Sequence, residues 1–97
     1  MSQIPVDPAF YDRANDYIHL ANKQCDGKTN IMLVNGSFMF ALSRFSAWCT
    51  AIDRASGQAM KDNSKADIDN MVNQFRQMLE EHHAEHADNF DKLMKQT

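Results

Sequence analysis

Apolar residues fall along this chain in three long helical patterns separated by two short polar breaks. The middle pattern organises the others. From Asn30 to Ala55 the residues Ile31, Val34, Phe38, Ala41, Leu42, Phe45, Trp48, Cys49 and Ile52 recur at three- and four-residue steps and share one helical face. Met32, Leu33, Met39 and Phe40 fall on the opposite side. A helix that is apolar nearly all round is expected to be covered by neighbours on more than one side. The pattern therefore predicts a central helix whose Phe38, Phe45 and Trp48 are sheltered by two others. Gly36 interrupts it, yet Ile31 and Val34 stay in phase with Phe38, which favours one continuous helix. Thr29 or Asn30 can cap its start, and Gly57 is expected to end it.

The first helix is predicted from Pro8 to about Asp26. Asp7 is placed to cap it and Pro8 to occupy its first position. Phe10, Tyr11, Ala14, Tyr17, Ile18, Ala21 and Cys25 make its apolar stripe, and Gly27 suits a left-handed residue beyond its end. Residues 1–6 read as a flexible arm. After a small, polar connection from Ser56 to Asn63, Ser64 with Asp67 three residues later resembles a capping box. Ile68, Met71, Val72, Phe75, Met78, Leu79, His82, His86, Phe90 and Leu93 then hold one face almost to the C-terminus. A continuous helix over that span would far outreach the first, so it either breaks near Ala84 to Ala87, covers the end of the central helix, or packs on a second subunit. The expected fold is all-α: one domain over residues 1–97, a bundle of three main helices, the third long or broken into two.

Composition narrows the partners. The 97 residues are enough for one core without staples, and three Gly with two Pro leave few turns. A net charge of −3 at pH 7 argues against nucleic acid, whose phosphates need a basic surface. No apolar run approaches the roughly 20 residues that span a bilayer, so no membrane association is expected. MSQIPVDPAF has neither the basic start nor the apolar run of a secretory signal, and Cys25 and Cys49 lack metal-ligand spacing. They read as reduced thiols of a cytoplasmic protein.

Candidate chemistry is sparse. His82 and His86, four residues apart in EEHHAEH, can point to one side of a helix and chelate a divalent ion, with His83 beside them. Glu80 and His83 have the E-x-x-H spacing of di-iron bundles, but no second such unit exists. The bland alternative places His82 and His86 in the seam of the third helix. No serine has the context of an activated nucleophile, so no catalysis and no cofactor are expected. Arg44 lies at the edge of the apolar face of the central helix. It is expected either to pair with a carboxylate such as Asp12, Asp16, Glu80 or Glu81, or to carry its head to the surface. Tyr11, Asn15, Asn22 and Arg44 would bound the pocket of a ligand-binding bundle, if one exists. Met32, Met39 and Phe40 on the back of the central helix are either covered within the chain or form a subunit interface. The second option makes a homodimer the expected state. From Ala66 to Asp91 seven acids stand against Arg76 alone, the usual mark of a solvated helix face.

The segments FYDRANDYIHLAN (Phe10 to Asn22), Gly27-Lys28, SFMFA (Ser37 to Ala41), Arg44-Phe45, FRQMLEE (Phe75 to Glu81) and NFD (Asn89 to Asp91) together resemble a small bacterial family of unknown function, across roughly Phe10 to Leu93. The resemblance implies a short, all-helical, single-domain protein and brings no activity or cofactor. It also implies that Arg13, Asn15, His19, Asn22 and Arg44 belong to a shared polar pattern, from which the His82, His83 and His86 cluster departs. The function expected from all this is a small self-associating interaction or regulatory module, acting on a protein partner the residues do not name. The alternatives are a metal-binding helical protein and a small-ligand-binding bundle.

Overall fold

The computed structural model describes residues 4–94. The first three residues of the predicted arm lie outside that range. Among the described residues the structure is helical, without strands: α1 (Phe10–Gln24), α2 (Ile31–Arg54), α3 (Gly57–Asp62), α4 (Ser64–Asp88) and α5 (Phe90–Met94). The fold class is all-α with three main helices, α1, α2 and α4. The third is both long and broken, at Asn89, just beyond the expected Ala84 to Ala87. The chain divides into two units, one over Pro5–Asp62 that holds α1 to α3, the other holding α4 and α5.

Local chemistry accounts for most boundaries. Asp7 does not cap α1. Its carboxylate instead forms an exposed ion pair with Arg13, while its carbonyl accepts from the Phe10 N–H at 3.1 Å, and the helix proper begins after Ala9. At the other end the Cys25 N–H is shared between the carbonyls of Ala21 and Asn22, which tightens the last turn. The connection to α2 is an Asx turn. The Asp26 carboxylate accepts from the N–H groups of Lys28, at 2.9 Å, and Thr29, at 3.0 Å, around Gly27 at φ 82°. Asn30 caps α2 by accepting from the Met32 N–H at 2.8 Å.

The helix runs unbroken through Gly36. A Cβ built there meets nothing within 4 Å, so Gly36→Ala should raise stability by about 1 kcal/mol through helix propensity alone. Chemical denaturation would check this, and an unchanged or lower midpoint would contradict it.

Gly57 does not end α2. Ala55 does, in the left-handed region at φ 64°, a conformation costing about 1–2 kcal/mol for a residue with a Cβ. The expected loop from Ser56 to Asn63 is largely helical. Ser56 accepts from the Ala59 N–H at 3.0 Å and so caps α3, whose Gln58 and Asp62 side chains bond one turn apart at 2.8 Å. Ser64 is the first residue of α4 rather than its cap, with the Asn63 carbonyl accepting from the Asp67 N–H at 2.9 Å.

Within the first unit both α1 and α3 pack on α2. Phe10, Ala14 and Ala21 are the half-buried residues of α1, and Cys49, Thr50, Ala51 and Arg54 are among those of α2. Within this unit, α1 and α3 do not supply the shelter expected for the central helix. Val34, 7% exposed, is the one buried residue among those described. Phe38, Phe45 and Trp48 are 39%, 59% and 58% exposed. The reason is length. At ~1.5 Å per residue α2 is about 36 Å long, whereas α1 is about 22 Å and α3 about 9 Å. Two short helices cannot cover one long helix that is apolar on all sides.

Candidate interaction surface

The residues expected to bound a pocket do not converge. Tyr11, Asn15 and Asn22 stand four and seven positions apart and so share one face of α1, with His19 beside them. All four are exposed. Arg13, from the same polar pattern, points away from that face and is held by Asp7. Arg44 projects from α2 into solvent. Within its own unit neither Asp12 nor Asp16 pairs with it. No hydrogen bond joins Arg44 to Tyr11, Asn15 or Asn22. The depression on α1 is lined by Asp16, His19, Leu20, Asn22 and Lys23, consecutive turns of one helix with no opposing wall. Such a groove has no means of enclosing a small molecule.

The histidines of α4 are exposed rather than seated in a packed seam. His86 Nδ1 lies 2.8 Å from the His82 carbonyl oxygen, and with a proton on Nδ1 it donates that bond. One ring nitrogen of the pair is thereby engaged with backbone. Among the described residues no three His, Cys, Asp or Glu side chains gather at a point that would hold a metal ion. Cys25 is exposed and Cys49 half-buried, and both are free thiols.

The surface is apolar where a folded chain would hide it. On α2, Phe38, Leu42, Phe45, Trp48 and Ile52 form an open stripe, with Phe45 and Trp48 in ring contact at 5.5 Å between centroids. The back of α2 is open too, at Met32, Leu33, Met39 and Phe40. On α4, Ile68, Met71, Val72, Phe75, Met78 and Leu79 are exposed along the predicted seam. A second shallow groove there, between Phe75, Leu79 and His83, is edged by Arg76 and Glu80. In the sequence Glu80 stood out for its E-x-x-H spacing with His83 and as a possible partner of Arg44, and Arg76 as the one base among seven acids.

Electrostatic perturbation is seen at the approach to α1, at the turn before α2 and in the first turns of α4. The hydrogen bond and charge of Arg13 hold the Asp7 carboxyl below its ordinary value of 3.8. The N–H groups of Lys28 and Thr29 do the same for Asp26. The Lys65 ammonium is raised by its bond to Asp69 at 2.7 Å. A carboxylate whose pKa is depressed by folding contributes stability that is present above its unfolded value and lost as pH falls through the folded one. Acid should therefore loosen both turns below about pH 4. Asp26→Asn keeps an acceptor oxygen but removes the ionisation. Its stability should fall less steeply with acidification than that of the unaltered protein. Identical pH profiles in thermal unfolding would refute the role of the Asp26 charge.

The fold and surface define a small all-helical protein with extensive open apolar faces and, among its described residues, no assembled metal cluster. None of its described helices is long and apolar enough to cross a membrane. The chain belongs to DUF3144, a family of proteins of unknown function, whose model matches residues 10–87. No curated protein and no solved structure matches it.

Proposed function

We propose that the protein is a self-associating interaction or regulatory module of the cytoplasm, without catalytic activity, whose working form is a homodimer. The supporting observation is the placement of its aromatic residues. Phe45 and Trp48 are more than half exposed in a chain whose single buried described residue is Val34. Monomeric proteins rarely leave contiguous apolar patches of this extent in water, and patches that persist mark association sites.

Two free thiols, one exposed, suit a reducing compartment.

Light scattering coupled to size exclusion at micromolar concentration tests the proposal. The expected mass is twice 11.1 kDa. A strict monomer at that concentration would overturn it.

A further inference from the structure

His82 and His86 share one face of α4, one turn apart, a spacing that sets their Cβ atoms about 5–6 Å from each other. Both are exposed, so their rings can meet over the same point in solvent without displacing a packed group. His86 Nδ1 lies 2.8 Å from the His82 carbonyl oxygen. A carbonyl only accepts, so the bond requires the proton on Nδ1, and the lone pair of the neutral ring then sits on Nε2. A metal-bound histidine characteristically gives its other ring N–H to a carbonyl or carboxylate, because that bond fixes the tautomer and the direction of the ring. In α4 the backbone of the same helix supplies that support. We propose that His82 and His86 form a two-nitrogen clip for a divalent transition ion, copper(II) foremost. The clip lies within α4 and owes nothing to the self-association proposed above.

The donors define the ion. Neutral imidazole suits copper, zinc and nickel, whereas magnesium and calcium take oxygen ligands. Affinity for a given nitrogen site rises to its maximum at copper(II). The surroundings favour a cation as well. Glu80, Glu81, Glu85 and Asp88 flank the pair, and no Lys or Arg stands between Glu80 and Asp88. His86 is in the last turn of α4, at the negative end of the helix dipole. His83 follows His82 by one residue, about 100° round the helix, and so faces away from the clip. Among the described residues no acid or thiol makes a third ligand with the pair, so water completes the coordination. An ion held this way ties one turn to the next just before the break at Asn89.

The test uses tag-free, full-length protein treated with chelator, in a Cys25→Ser background that removes the exposed thiol. Copper(II) is titrated by isothermal calorimetry. One ion per chain is expected, with a dissociation constant of about 10 µM or lower. His82→Ala and His86→Ala should each weaken binding about tenfold or more, and His83→Ala should leave it unchanged. Electron paramagnetic resonance of the bound copper should show coupling to two imidazole nitrogens, and to one in either of the first two variants. All three histidines are exposed, so the substitutions remove no packing, and circular dichroism checks that each variant stays helical. Weaker binding by the unaltered histidines, or binding that survives both His82→Ala and His86→Ala, would mean an adventitious ion only and overturn the clip. An equal loss in His83→Ala would overturn it too, since that ring lies off the shared face.

Discussion

Replacing Phe45 with aspartate should leave the protein helical but monomeric at concentrations where the unaltered chain is paired. Phe45 is 59% exposed within one chain, so the substitution removes little packing from the isolated unit. Its effect falls on association. Burying a Phe side chain is worth about 1.5–3 kcal/mol, and a two-fold axis counts each substitution twice. The loss is then about 3–6 kcal/mol, or two to four powers of ten in the dissociation constant. The buried carboxylate adds to it. Lys61→Asp on the exposed face of α3 is the control. It changes net charge by more than Phe45→Asp does, and should leave the mass unchanged. Sedimentation velocity reads both. A Phe45→Asp protein that still sediments as a dimer would place the interface elsewhere.

The contrast between α2 and its neighbours shows how far the chain's own pattern reaches. Helix periodicity around Phe38, Phe45 and Trp48 was strong enough to identify α2 and to narrow its cap to Thr29 or Asn30, of which Asn30 is the cap. The break of the third helix was one of three options left open, and it falls at Asn89, just past the stretch expected for it. Boundaries set by competition between neighbours were less legible. Asp7 had an equally good partner in Arg13 and took it, so the cap was lost. Ala55 took the left-handed position that propensity reserves for glycine, because Ser56 started a new helix immediately afterwards. A larger gap concerns burial. An apolar stripe states that a helix must be covered, and is silent on whether the cover comes from the same chain. Phe38 and Trp48 were expected to lie under α1 and its companions, yet both remain open. Tyr11, Asn15, Asn22 and Arg44 illustrate the same limit on the polar side. Their shared pattern placed three of them on one face of α1, but a common face is only a surface, and Arg44 never joins it.

Unfolding of the unaltered protein should depend on its concentration. If folding and pairing are coupled, each tenfold increase in protein stabilises the dimer by about 1.4 kcal/mol. For a cooperative unit of two such chains, that moves the melting midpoint by about 3–6 °C per decade of concentration. A self-contained 97-residue fold would show no shift at all. The expectation follows from how little one chain buries on its own. With Val34, still 7% exposed, the one buried residue among those described, little apolar burial stands against the backbone entropy lost on folding. The missing stabilisation has to come from the faces that α2 and α4 leave open. Differential scanning calorimetry from 5 to 500 µM separates the cases. Midpoints constant across that range would mean that the single chain holds its own core and that its exposed rings serve another purpose. A rising series, abolished in Phe45→Asp, would tie the stability of the fold directly to the α2 stripe.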